Sequence, residues 1–124
     1  MLILSQDAVA AALLGGLVET LGYLVRFARP PESAVDALRR VRARICLVDC
    51  DDPTACSPEL IGRATMRGAS VVVFGTRDTL ESVRALVTTH RLDTLLIPAD
   101  VREVQTVVER ARVKAYQSSD KQGR

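Results

Sequence analysis

Tryptophan is absent from this chain, and aromatic residues make up only 3% of it. A base-stacking platform needs several exposed rings, so that mode of nucleic-acid binding is excluded. Charge of one sign is also lacking. Seventeen basic residues stand against 15 acidic ones, for a net charge of +2. That balance gives no electrostatic footprint for a nucleic-acid partner, which wants a clustered basic face. Cysteine is sparse and odd in number, at Cys46, Cys50 and Cys56, and His90 is the one histidine. Neither a zinc-site spacing nor a disulfide scaffold follows, and a reducing cytoplasm fits better. No apolar run reaches the roughly 20 residues that span a bilayer. The stretch Ala8 to Val18 is apolar but short, has no Lys or Arg before it and begins beside Asp7, which argues against a signal peptide.

What is present suits one globular domain. The chain has 124 residues, and 48% hydrophobic content is enough for a core. Apolar runs and helical stretches alternate. Leu2 to Leu4, Tyr23 to Ala28, Ile45 to Val48, Val71 to Phe74 and Thr94 to Ile97 read as strands. Arg26 marks the second as a sheet edge, because a central strand would bury that charge. Four helices lie between them and a fifth follows the last. Ala8 to Leu21 carries Ala10, Leu13, Leu14, Leu17 and Leu21 on its expected inner face, with Asp7 as cap and Gly22 as stop. Glu32 to Arg42 follows Pro30-Pro31. Ser57-Pro58 opens the third helix, which ends near Gly68. Asp78 with Glu81, and Asp100 with Glu103, form capping-box patterns for the fourth and fifth. The fourth runs to about His90, where a cation is mildly favourable at a helix end. The fifth has Val101, Val104, Val107, Val108 and Ala111 near one face and ends near Ala115. Residues 1–115 thus read as the domain, and 116–124 as a polar tail or the start of a linker.

Strict strand-helix alternation predicts a flavodoxin-like three-layer (βα)5 sandwich: a five-stranded parallel sheet of order 2-1-3-4-5 with helices on both faces. Function in such sheets sits beyond the carboxyl ends of the strands. The residues there are Ser5, Gln6 and Asp7, then Asp49 to Pro53, then Gly75 and Thr76, then Ile97 and Pro98.

These strand ends resemble the receiver domains of bacterial two-component response regulators, over roughly Leu2 to Ala115. The most specific piece is Val48-Asp49-Cys50-Asp51-Asp52-Pro53: in receivers the third strand ends in the phosphoacceptor aspartate, and a proline commonly follows four positions later. The close of the first helix at Leu21-Gly22-Tyr23 and the Leu96-Ile97-Pro98 strand end also match. The resemblance implies a cytoplasmic signalling role, with a histidine kinase or another signalling protein as partner, and a homodimer as an option.

Departures from the pattern carry equal weight. The acidic pair that holds Mg²⁺ in receivers falls on Ser5 and Gln6, with Asp7 one place beyond. The family lysine falls on Ile97, the hydroxyl on Gly75 with Thr76 next, and the switch aromatic on Thr94. Asp49 alone stands intact. Phosphoryl transfer needs its developing charge neutralised by metal and fixed cations, and Mg²⁺ prefers carboxylates in near-octahedral geometry. Asp49 with a carbonyl near Asp51 is a poor site, and Asp51 and Asp52 read as solvated loop residues. The expectation is therefore a degenerate receiver that is not an enzyme, holds no cofactor and signals by protein binding. An active phosphorelay receiver, with Mg²⁺ and Asp49 phosphorylation, is the alternative. A small-ligand binder using Ser5-Gln6-Asp7 is a third reading.

Smaller signals remain. Cys50 and Cys56 share a loop but match no redox spacing, and read as unpaired small side chains. The Ile97-Pro98 bond is open to both cis and trans geometry. Ala8, Ala12, Gly16 and Thr20 lie four apart, a small-residue stripe away from the core face and a candidate interaction surface. Gly15 and Gly16 cost helix propensity on the order of 1 kcal/mol each against Ala. The fourth and fifth helices are the other candidate surface. Arg102, Arg110, Arg112 and Lys114 read as a solvated basic face.

Overall fold

The computed structural model describes the backbone of residues 1–122 and the side-chain surroundings of residues 1–117. Its elements are β1 (Leu2–Leu4), α1 (Ala8–Thr20), β2 (Arg26–Phe27), α2 (Ala34–Arg40), β3 (Ile45–Asp49), α3 (Pro58–Met66), β4 (Ser70–Gly75), α4 (Arg77–Ser82), α5 (Arg84–His90), β5 (Asp93–Leu96) and α6 (Val101–Gln122). All five strands are parallel, in the order β2-β1-β3-β4-β5. This is the flavodoxin-like arrangement that the alternation predicts. The edge strand β2 is short and exposed, as Arg26 requires.

Side chains alternate across the sheet and build two cores. Leu2, Leu4, Cys46, Val48, Val71 and Val73 face α2, α3, α4 and α5, where they meet Ala37, Leu60, Ile61 and Val87. Ile3, Ile45, Leu47, Val72, Phe74 and Leu95 face α1 and α6, where they meet Ala11, Leu14, Val18, Val104 and Val108. At the β2 edge, Glu32 clamps Arg40, accepting from Nε at 2.7 Å and Nη2 at 2.9 Å, while Nη2 also donates to the Phe27 carbonyl. These bonds, with one from the Arg29 amide, hold the Glu32 carboxyl at about 2.

Most helix ends follow from local chemistry. Asp7 Oδ1 accepts from the amides of Val9 and Ala10. Ser57 Oγ accepts from Leu60, with Pro58 in the first helical position. Asp100 Oδ1 accepts from Glu103 at 2.8 Å. Gly22 and Gly68 take the positive φ that ends α1 and α3.

Four expectations need correction. The fully buried residues of α1 are Ala11, Leu14, Gly15 and Val18; of the face expected inward, Leu14 is buried and Leu17 and Leu21 pack against the core at partial burial, whereas Leu13 is 67% exposed. Its sequence is apolar almost all round, so periodicity does not fix its rotation. Gly15 does: a Cβ there would stand 2.9 Å from Phe27 Cζ, so β2 packs directly on the helix backbone. The fourth helix is two short ones, capped by Thr76 rather than Asp78 and broken at Val83. Ser82 Oγ donates to the Thr79 carbonyl, an alternative to the helical amide. Helix α2 starts at Ala34, after the Ser33 cap, and ends at Arg40. Helix α6 continues past Ala115 to Gln122, because Tyr116 to Gln122 contains no Gly or Pro to stop it. The boundary placed at 115/116 thus falls inside a helix, and residues 123–124 lie outside the described residues. No helix among the described residues is long and apolar enough to cross a membrane.

Candidate functional site

The strand ends of β1, β3, β4 and β5 converge around Asp49. This residue ends β3, opposite Phe74 of β4, and is 6% exposed. Both carboxylate oxygens have neutral donors. Ser5 Oγ donates to Oδ2 at 2.6 Å, and the Asp51 amide donates to Oδ1 at 2.9 Å. None of the ion pairs among the described residues reaches Asp49. Its burial is met by hydrogen bonds alone.

The surrounding positions are occupied by other work. Asp7 is exposed and spends Oδ1 on the N-terminus of α1, while its own amide donates to Ser5 Oγ at 3.1 Å. Gln6 and Asp51 are exposed. Ile97 packs half-buried against the α1/α6 core, and its amide donates to the Gly75 carbonyl at 2.9 Å. The Ile97-Pro98 bond is cis. Asp52 corrects the sequence reading. It is 5% exposed rather than solvated, and its Oδ1 accepts from Thr54 N, Thr54 Oγ1 and Ala55 N.

Mg²⁺ is the ion that the resemblance to receivers implies, and these residues do not fit it. Ser5 and Gln6 supply no carboxylate, Asp7 caps α1, and both Asp49 oxygens already accept hydrogen bonds. Among the described residues no group of three His, Cys, Asp or Glu side chains is placed to hold a metal.

Thr79 is a site residue that strand-end reasoning missed. A Cβ on Gly75 would clash with Thr79 Oγ1 and lie 3.2 Å from Cys50 Cβ. The hydroxyl therefore comes from α4 and occupies the space of the missing side chain. It donates to the Thr76 carbonyl at 3.0 Å. The signal in the sequence is the Thr76/Thr79 spacing on a helix that opens directly after Gly75. Gly75→Ala is accordingly expected to destabilise the domain by about 1–3 kcal/mol through overpacking. Adding Thr79→Ala should recover part of that loss in a double-mutant cycle of chemical denaturation. Additive losses would show that Thr79 is not what fills the space.

Two hollows flank the site. One, of about 750 Å³, lies over the ends of β1 and β2, lined by Ser5, Gln6, Phe27, Pro31, Ser33 and Thr54 among others. The other, of about 710 Å³, is an apolar groove between α1 and the β5–α6 turn. Leu13, Gly16, Leu17, Phe74, Ile97 and Pro98 contribute to it. Ala8, Ala12 and Gly16 are exposed, and nothing lies within 4 Å of where a Gly16 Cβ would be.

The chain matches no protein-family model and no curated protein. Its similarities are to solved structures. NtrX from Brucella abortus matches 96% of this chain at 17% identity and TM-score 0.78. This chain spans 28% of the length of that NtrX chain. The signal receiver domain of an HD domain-containing protein from Pseudomonas fluorescens Pf-5 has 18% identity and TM-score 0.75, over 99% of this chain and 90% of that one. The chemotaxis response regulator CheY4 of Vibrio cholerae has 14% identity and TM-score 0.70, over 89% of this chain and 95% of its own. The chain therefore has the flavodoxin-like fold of receiver domains.

Proposed function

We propose that this chain is a degenerate receiver domain that signals by binding a protein partner, independently of phosphorylation and without catalysis. The carrying observation is the Ser5–Asp49 hydrogen bond. Where a receiver would place a metal-binding carboxylate, a hydroxyl caps the phosphoacceptor-like oxygen instead. An acyl phosphate on Asp49 would displace that bond and find no cation to replace it. Ile97 in the lysine position works in the same direction, since it offers packing and no charge.

The binding half of the reading rests on α1. Its exposed Ala8, Ala12 and Gly16 stripe, beside the apolar groove, lets another helix approach closely. A signalling protein of the phosphorelay type, such as a histidine kinase, is the proposed partner, and a second copy of the chain is the other occupant. The proposed setting is cytoplasmic.

Titration with Mg²⁺ and then beryllofluoride, followed by amide NMR, tests the loss of phosphate chemistry. The amides of Ser5, Asp49, Cys50 and Thr76 are expected to stay in place at millimolar concentrations. Saturable shifts centred on these residues would overturn the reading in favour of an active phosphorelay receiver.

A further inference from the structure

The hollow of about 750 Å³ over the ends of β1 and β2 has the size of a small-molecule site. Its wall is mostly apolar: Ala8 and Ala12 come from α1, Phe27 and Ala28 from the β2 edge, and Pro31 from the turn before α2. Among the described residues no Lys, Arg or His side chain lines it, whereas two carboxylates do, Glu32 and Asp52. Glu32 is spent, because both of its oxygens accept from Arg40. Asp52 is different. It is buried, and its three donors, Thr54 N, Thr54 Oγ1 and Ala55 N, all reach Oδ1. Among the described residues Oδ2 accepts no hydrogen bond, and no ion pair includes Asp52. A buried carboxylate oxygen without a donor is costly. Oδ2 is nevertheless not sealed in the interior, and Asp52 lines the hollow. Gln6 lines it as well and carries an amide oxygen, a second acceptor.

We propose that this hollow binds a small organic ammonium ion, a primary amine carrying an apolar body, with the ammonium on Asp52 Oδ2 and the body against Phe27, Ala28 and Pro31. A primary ammonium supplies what Oδ2 lacks, N–H donors and a positive charge in one group. Asp49, three residues earlier and also without an ion pair, adds to the negative potential. That potential works against an anionic ligand. A hard metal ion wants six or so oxygen ligands, and no cluster of carboxylates offers them among the described residues. The apolar wall selects a ligand with hydrocarbon to bury over a hydrated inorganic cation. None of these contacts uses the Asp49 oxygens, so the inference stands whether or not Asp49 accepts phosphate.

The test titrates the full chain with 2-phenylethylamine as the probe, followed by amide NMR. Saturable shifts centred on Gln6, Phe27, Thr54 and Ala55 are expected at millimolar concentrations. 2-Phenylethanol keeps the apolar body and loses the charge, and should bind the same unmutated protein about 10-fold more weakly or worse. Asp52→Asn keeps an acceptor for Thr54 and Ala55; it should weaken the amine by a similar factor and leave the alcohol unchanged. Ammonium chloride at matched concentration controls for a site that takes any cation. The proposal is overturned by no saturable shift with the amine, by equal affinity for amine and alcohol, or by the same shifts with ammonium chloride. Unchanged amine affinity in folded Asp52→Asn, or shifts centred on Leu13 and Leu17 in the other groove, would overturn it as well. The amine–alcohol comparison needs no variant, so it decides the matter even where Asp52→Asn fails to fold.

Discussion

Phe74→Ala is expected to destabilise the domain by about 3–5 kcal/mol, the usual range for emptying an aromatic core position. Phe74 is 1% exposed and is among the largest fully buried side chains. It lies on β4 between β3 and β5, in the core shared with Leu47, Leu95 and Val104. Its ring also lines the α1 groove, so truncation opens the groove floor rather than a sealed void. Against a total stability of roughly 5–15 kcal/mol for ordinary domains, this is a large share. Urea denaturation should show a lower midpoint with an unchanged slope. A loss below about 1 kcal/mol would mean that α1 and α6 close over the gap, against the close-packed core described here.

The second large effect is expected at Asp52. Replacing it with Ala leaves Thr54 N, Thr54 Oγ1 and Ala55 N without their acceptor. Unsatisfied groups in a part-buried loop cost roughly 1–3 kcal/mol. Asp52→Asn keeps an amide oxygen for the same donors and should lose less. Hydrogen exchange locates the effect, with faster exchange expected from Asp51 to Cys56 in the Ala variant and protection unchanged in β4. Equal losses for Ala and Asn would show that the charge, not the acceptor geometry, holds the loop.

Asp52 also marks where sequence reading stops. Four of the strands were legible as apolar runs bounded by breakers, while β2 is only Arg26–Phe27 of the Tyr23 to Ala28 stretch expected; strict alternation then leaves few topologies. Asp7, Ser57-Pro58 and Asp100 were legible as helix starts because a cap is a local interaction. The position of Asp49 was legible from the same strand logic. The rotation of α1 was not, because an almost wholly apolar helix has no polar face to turn outward, and the contact that decides it comes from Phe27. Asp52 directly follows the exposed Asp51 in a loop, and only the return of the chain at Thr54 and Ala55 buries it. The place of Thr79 in the site depends on tertiary approach across Gly75. The Thr76/Thr79 spacing is its one trace in the sequence, and it points to the site only through the space that Gly75 leaves open.

The central claim is that the Asp49 site no longer performs phosphoryl chemistry. Intact-mass analysis of the folded protein after acetyl phosphate and Mg²⁺ treatment tests it most directly, with Asp49→Ala alongside. An unchanged mass is expected for both proteins. A single phosphoryl group gained by the unmutated chain and absent from Asp49→Ala would contradict it.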